Sequence, residues 1–155
     1  MEEIVIRPAR TEEWDEAMEL AFRVFLKFEA KDYGREGTEA FAAFVTDSVL
    51  KKAFESGHYK VYVAVLDEKL IGIIGLRSGN HISLLFVDGE YHHKGIGSRL
   101  IDTVVGYLRS DTSFSKITVN AAPYAEKFYY KCDFVKCGEA ARKDGIIYIP
   151  MEKLL

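Results

Sequence analysis

The residues best suited to chemistry stand in one run, His92-His93-Lys94-Gly95-Ile96-Gly97-Ser98, between the apolar stretch Leu84 to Val87 and a helical pattern beginning at Ile96. Gly95 and Gly97 lack a Cβ, so the backbone N–H groups around them can turn toward a ligand. A helix N-terminus leaves its first N–H groups unpaired and carries a partial positive charge. Lys94 adds a full charge at that rim, and the imidazoles of His92 and His93 can donate hydrogen bonds. This set suits a diphosphate. A Gly-x-Gly pair before a helix can also do no more than tighten a turn. The GxxxxGK[ST] pattern of a P-loop is missing, as are the third glycine and distal acid of a dinucleotide fingerprint.

A second run, Val119 to Phe134, puts Asn120 at the end of a short strand pattern and Phe128-Tyr129 on a short helical one. The two runs, in this order, resemble the GNAT (Gcn5-related N-acetyltransferase) superfamily. Its cofactor loop reads Gln/Arg-x-x-Gly-x-Gly/Ala, matched by His92 to Gly97. Its later motif, an Asn followed by Ala-x-x-Phe-Tyr-x-x-x-Gly-Phe, is matched by Asn120 and by Ala125 to Phe134. Three positions depart from the family: His92 replaces Gln or Arg, Gly89 stands where proline is common, and Asp133 replaces the glycine. Asp can also take the left-handed conformation that a helix end needs.

The resemblance implies transfer of an acetyl group from acetyl-CoA, a co-substrate, to a primary amine of a small molecule or peptide, by direct attack in a ternary complex. It implies that Leu85, Phe86 and Val87 lie along the pantetheine arm and that His92 to Ser98 hold the diphosphate. Asn120 would bond a pantetheine amide, although a turn Asn needs no ligand. Tyr129 would protonate the departing thiolate. The family's base stands on the fourth strand, six residues before the Val that meets pantetheine, and counting back from Val87 gives His81. An imidazole is a competent base near neutral pH. A histidine that starts a strand and bonds the turn Ser78-Gly79-Asn80 is the alternative. The acceptor would lie near the first helices, where Glu29 and Tyr33 are the candidates, together with Phe28 and the acids Asp32, Glu36 and Glu39. Lys31 and Arg35 offset those acids, as in an ordinary solvated loop. A non-catalytic CoA-binding sensor is the rival reading, because a fold alone does not fix an activity.

Composition narrows the rest. A net charge of -3 with no basic stripe argues against nucleic acid as a partner. No apolar run reaches the ~20 residues of a membrane span, so no membrane partner is expected. Cys132 and Cys137 are neither in CxxC spacing nor beside a histidine, and the four histidines show no ligand spacing, so no metal is expected. The Glu2-Glu3 start is unlike a secretory signal, which points to the cytoplasm.

The elements that must position these residues follow from periodicity. Ile4 to Pro8 suits an edge strand. A helix capped by Thr11 runs until shortly before Tyr33-Gly34, and a second, capped by Thr38, runs until shortly before Gly57. Tyr59 to Leu66, Leu70 to Leu76 and His81 to Val87 form an antiparallel meander. A helix with Ile96, Leu100, Ile101, Val104, Val105 and Leu108 inward crosses to the strand Lys116 to Asn120. Pro123 opens the helix Tyr124 to Lys131, and Ile146 to Met151 closes the chain as an exposed strand able to pair with a second copy in a homodimer. The class is α+β: a mixed, mostly antiparallel sheet of six to seven strands flanked by about four helices, in a single domain over 1–155.

Overall fold

The computed structural model describes residues 3–143 and 145–155. Its elements are β1 (Val5–Pro8), α1 (Trp14–Phe28), α2 (Ala30–Val45), α3 (Ser48–Glu55), β2 (Lys60–Leu66), β3 (Lys69–Arg77), β4 (His81–Val87), α4 (Ile96–Asp111), β5 (Lys116–Ala121), α5 (Glu126–Lys131), β6 (Val135–Lys136), β7 (Ala141–Lys143) and β8 (Ile146–Leu154). The class is the expected one, a mixed sheet with helices on both faces. Among the described residues the sheet has eight strands, in the order β1-β2-β3-β4-β5-β8-β6 with β7 paired to β8.

The meander β2-β3-β4 closes through two tight turns. Asp67 and Glu68 take φ of 49° and 65°, and Ser78 and Gly79 take 56° and 87°. Consecutive positive φ values give the turn twist that suits paired strands. All pairings are antiparallel except β4 with β5, which run parallel and meet only at His81↔Thr118 and Ile82↔Val119. The parallel pairing follows from the chain's return through α4. A bulge in β4 at Ser83 shifts the register between Gly75 and Leu76. Ile82 therefore packs with α4, while Leu84 and Phe86 pack with α1 on the other face. Beyond the bulge β4 no longer pairs with β5, and a gap opens between them.

Each sheet face carries its own core. Leu100, Ile101, Val104 and Leu108 of α4 are sealed against Ile71, Ile74, Leu76 and Ile117. Trp14, Leu20 and Phe25 of α1 are sealed against Val61, Val63 and Ile73. Each such side chain contributes roughly 1.5–3 kcal/mol by burial, so the helices are held by packing against the sheet.

Three expectations are corrected. The region before β2 holds three helices instead of two: α1 stops at Phe28, α2 is broken at Gly34 (φ 67°, ψ -165°), and α3 starts afresh after Asp47. Asp47 is the cap, accepting from the N–H of Val49 at 2.8 Å and of Leu50 at 3.4 Å. Thr38 instead donates its hydroxyl to the Gly34 carbonyl at 2.7 Å. Thr11 does not cap α1 either. It begins a single 3-10 turn, and the Glu13 carboxylate accepts from the N–H of Arg10 at 2.7 Å. The closing strand is not exposed. β8 pairs with β5 from Ile149 to Leu154, with β6 at Met151 and Glu152, and with β7 from Ile146 to Tyr148. The edge offered to a second copy is thus already used. β6 and β7 escaped the sequence reading because they are short and half charged. None of the described helices is long and apolar enough to cross a membrane.

Candidate active site

The gap between β4 and β5 widens toward the loop that carries the glycines. Asp88 fixes where the loop begins. It is only 5% exposed; its N–H donates to the Ile71 carbonyl at 2.8 Å, and its carboxylate accepts from the N–H of Glu90 at 3.2 Å and from Arg23 of α1 at 3.0 Å. Burial opposes its charge, but the Arg23 guanidinium and the Glu90 N–H outweigh that, and the carboxyl sits below its usual range. The loop is therefore tied to both the sheet and α1.

Gly95 takes φ 78° at the start of α4, and a Cβ built there would meet nothing within 4 Å. Its requirement is conformational, and it faces open space. Gly97 differs: a Cβ there would lie 3.1 Å from the Phe128 ring, so its requirement is the approach of α5. The first helical bond runs from the N–H of Arg99 to the Gly95 carbonyl at 3.1 Å. The N–H groups of Ile96, Gly97 and Ser98 precede it at the end of the helix, where no intrahelical partner exists. Open space, unpaired donors and a helix N-terminus suit a diphosphate.

The two histidines differ in role. The Nε2 of His92 lies 2.6 Å from the Val87 carbonyl, and since a carbonyl only accepts, that nitrogen carries the hydrogen. His92 thus braces the end of β4. Its ring lies 4.7 Å from that of Phe28, while His93 is exposed with φ 60°. Phe28 also explains Gly89, where a Cβ would come within 2.8 Å of its ring. A proline there would displace Phe28. Lys94 is exposed at the rim, its Nζ 5.9 Å from the Tyr91 ring centre.

A cavity of ≈ 730 Å³ lies beside the unpaired end of β4, between the loop, α1 and α5. β4 gives it Leu85, Phe86 and Val87; the loop and α4 give His92, His93, Gly95, Ile96, Gly97 and Ser98; α5 gives Phe128 and Tyr129; and Val24, Phe28, Glu29 and Tyr124 close the far side. Most of the sequence-derived cofactor residues thus meet at one place, together with Glu29. Lys94, Asn120, His81 and Tyr33 are not in the wall. Asn120 is exposed on β5 just beyond the last residue pair shared with β4. His81 stands where the gap begins, its Nδ1 2.8 Å from the Thr118 hydroxyl. Tyr33 is stacked on Phe25 at 5.6 Å. The sequence reading missed Tyr124, which no spacing marked and which tertiary folding brings to Glu29. Asp133 does adopt the left-handed conformation, with φ 69°.

Burial sets the charges. Tyr129 is 6% exposed, and burial, with the nearby Glu29 carboxylate, raises its phenol well above the ordinary value. It keeps its proton through the physiological range. Burial lowers His81 to about 4, helped by Arg77, so it is a neutral imidazole. Burial raises Glu29 to about 7, against the pull of the Tyr124 hydroxyl and with the help of Asp32. A second hollow of ≈ 480 Å³ between α1, α2 and α3 takes no wall residue from β4, the glycine loop or α5. Among the described residues no group of three His, Cys, Asp or Glu is placed to hold a metal.

The site is thus a mixed sheet opened beside a glycine-started helix, with a buried tyrosine in the opening. The acetyltransferase (GNAT) domain model matches residues 29–155, and the chain belongs to that family. An uncharacterized N-acetyltransferase of Escherichia coli (strain K12), YafP, is 25% identical over 134 residues, 86% of this chain and 83% of that protein. A GCN5-related N-acetyltransferase of Rhodopseudomonas palustris superposes with a TM-score of 0.83 at 25% identity, covering 97% of this chain and 95% of that one. The PaiA N-acetyltransferase of Thermoplasma acidophilum, solved with coenzyme A, gives 0.75 at 22% identity, with 99% of both chains covered.

Proposed function

We propose that residues 1–155 form a single acetyltransferase domain that moves an acetyl group from acetyl-CoA to a primary amine by direct attack in a ternary complex. The observation that carries this reading is the β4–β5 gap, which leads from the N-terminus of α4 to a buried, protonated Tyr129. Leu85 to Val87 line that path with an edge that β5 leaves unpaired, save the Val87 carbonyl, which His92 holds, and the N–H groups of Ile96, Gly97 and Ser98 lie at its mouth, where His93 and Lys94 add polarity. Asn120, on the opposite lip, is free to bond the same ligand.

Acetyl-CoA, when bound, supplies an acyl carbon activated as a thioester. The chain's own groups orient and move protons. Tyr129 donates its proton to the departing sulfur, general acid help worth typically 10²–10⁴-fold. Two groups could take the amine's proton: His81, uncharged at neutral pH and the one that the family spacing suggests, and Glu29 in the cavity wall. Cys132 and Cys137 are both free thiols, in keeping with a reducing cytoplasm. Thiol release from acetyl-CoA, measured against a panel of small amines and lysine peptides, tests the reading. Turnover with any amine supports it. Tight CoA binding without turnover by any amine would leave a sensor, and no CoA binding at all would sink the reading.

A further inference from the structure

Among the described residues Glu29 is the one carboxylate in the wall of the cavity, and neither the loop nor Tyr129 needs it. It sits at the junction of α1 and α2, fixed by its own N–H, which donates to the Phe25 carbonyl at 2.8 Å, and by its carbonyl, which accepts from Asp32 at 3.0 Å. Phe28, Tyr124 and Phe128 give the same cavity an aromatic lining. The charged and titratable groups facing the carboxylate are Asp32 and Tyr33 of α2, Tyr124 before α5 and Tyr129 of α5. His92 stands behind Phe28 on the loop side. No cation of the described residues is paired with Glu29. A half-buried carboxylate among aromatic rings, open to a cavity and short of a cationic partner, is suited to an ammonium ion, which both the charge and the ring faces attract.

We infer that Glu29 anchors a protonated small alkylamine in this cavity and is the group that accepts its first proton. The inference rests on the transferase reading above. An ammonium gives up two protons in becoming an amide. Glu29 takes the first, which frees the nitrogen lone pair to bond the acyl carbon. The second leaves that nitrogen as the C–N bond forms and the C–S bond breaks. It replaces the proton that Tyr129 gives to the sulfur. The products are one amide, one thiol and one proton, which Glu29 releases to solvent. A carboxyl held near 7 by burial is a better acceptor than an ordinary one. His81 lies four residues before Leu85 on β4, about 13 Å away along an extended strand, and its Nδ1 is engaged with Thr118.

The test is the pH profile of kcat/KM for the wild type, Glu29→Gln and His81→Ala with the best amine of the panel, with calorimetry of CoA binding to each. The expected wild-type profile rises with pH through about 7, because Glu29 must be ionised to accept a proton. The amine itself titrates far higher, at about 10. In Glu29→Gln that limb disappears and kcat/KM falls at least ~10²-fold, while CoA binds as before; His81→Ala keeps the limb. Retention of rate and limb in Glu29→Gln, or their loss in His81→Ala alone, overturns the assignment and leaves the transferase reading intact. A wild type inactive with every amine overturns both. Should Glu29→Gln fail to fold, the wild-type profile still decides, since a flat rate between pH 6 and 8 rules the assignment out.

Discussion

The two halves of the cavity are built by different means. The half formed by β4, the loop and α4 is a backbone construction: a bulge at Ser83, a left-handed Gly95, a glycine at 97 where α5 comes close, and N–H groups with no helical partner. The half formed by α1, α2 and the turn before α5 is made of side chains that meet only through tertiary folding, with Glu29, Phe28 and Tyr124 drawn from two distant segments. A backbone site can hold a ligand part that never varies, such as a diphosphate, because peptide groups are the same in every chain. A side-chain site can be altered residue by residue, so on the proposed reading specificity for the acceptor belongs there. Phe28 joins the two halves, lying over Gly89 and against His92.

The sharpest way to separate the halves is to remove chemistry and keep binding. Tyr129→Phe deletes one hydroxyl from a fully packed ring that touches Phe128 and Phe134. We expect kcat to fall by ~10²–10⁴-fold with CoA affinity unchanged. An unchanged kcat would move the acid elsewhere and break the division. The opposite case is Gly95→Ala, which leaves every side chain in place and has room for its methyl group, yet must adopt φ 78°. That strain costs roughly 1–2 kcal/mol. It appears either as lost stability or, where the loop relaxes, as CoA binding weakened by about 5- to 30-fold. Calorimetry and thermal melts on one sample measure both, and no change in either would show that the loop does not need its left-handed residue.

The contrast also explains what was legible in the sequence. Gly95, Gly97, Phe128 and Tyr129 keep fixed distances along the chain because adjoining backbone positions dictate the geometry, and the resemblance to the family's two motifs recovered them. The meander and α4 were legible without it, since one apolar stripe or alternation sets each. Glu29 was named as an acceptor-site candidate through the family resemblance, with Asp32, Glu36 and Glu39 beside it, because nothing local tells a carboxylate that enters a cavity from one that enters water. The cap at Asp47 was missed because apolar residues at helical spacing continue across it from Phe44 and Val45 to Val49, whereas the break at Gly34 falls where a helix end was expected. The bulge left no mark at all. Ser83 reads as one more alternating strand residue, and only the partner register reveals it.

Stability offers a third comparison, between the cavity and the clamp that seats α1. Arg7 grips Glu13 through two bonds of 2.8 and 2.9 Å. The Arg7 bond, with help from the Arg10 N–H and against burial, holds the Glu13 carboxyl at about 2 instead of 4.5. A carboxyl depressed on folding adds stability above its unfolded value, so this contribution is present above pH 4.5 and is lost as pH falls through about 2. The pair is partly solvated, which screens it to about 1 kcal/mol. Glu13→Gln should therefore melt earlier at pH 7, lose that deficit near pH 2, and bind CoA as the wild type does. Weakened CoA binding would mean that α1 and the loop are coupled through more than Arg23 and Phe28.

The smallest effect is expected at the acids that sequence alone could not tell from Glu29. Glu39 accepts from Arg35 at 2.9 Å one helical turn away, but the two side chains are 66% and 92% exposed. An exposed pair at this spacing contributes about 0.3–0.5 kcal/mol, and no part of it reaches the cavity wall. Glu39→Gln should leave KM for the amine and kcat unchanged within error and shift the melting temperature by a degree or so. Since Glu39 and Glu29 carry the same charge and lie ten residues apart, long-range attraction of a cationic amine would act through both, whereas a specific contact acts through Glu29 alone. A KM that rises in Glu39→Gln at low salt and recovers at high salt would shift the account from a built site to a diffuse acidic field, because only the field is screened over a Debye length.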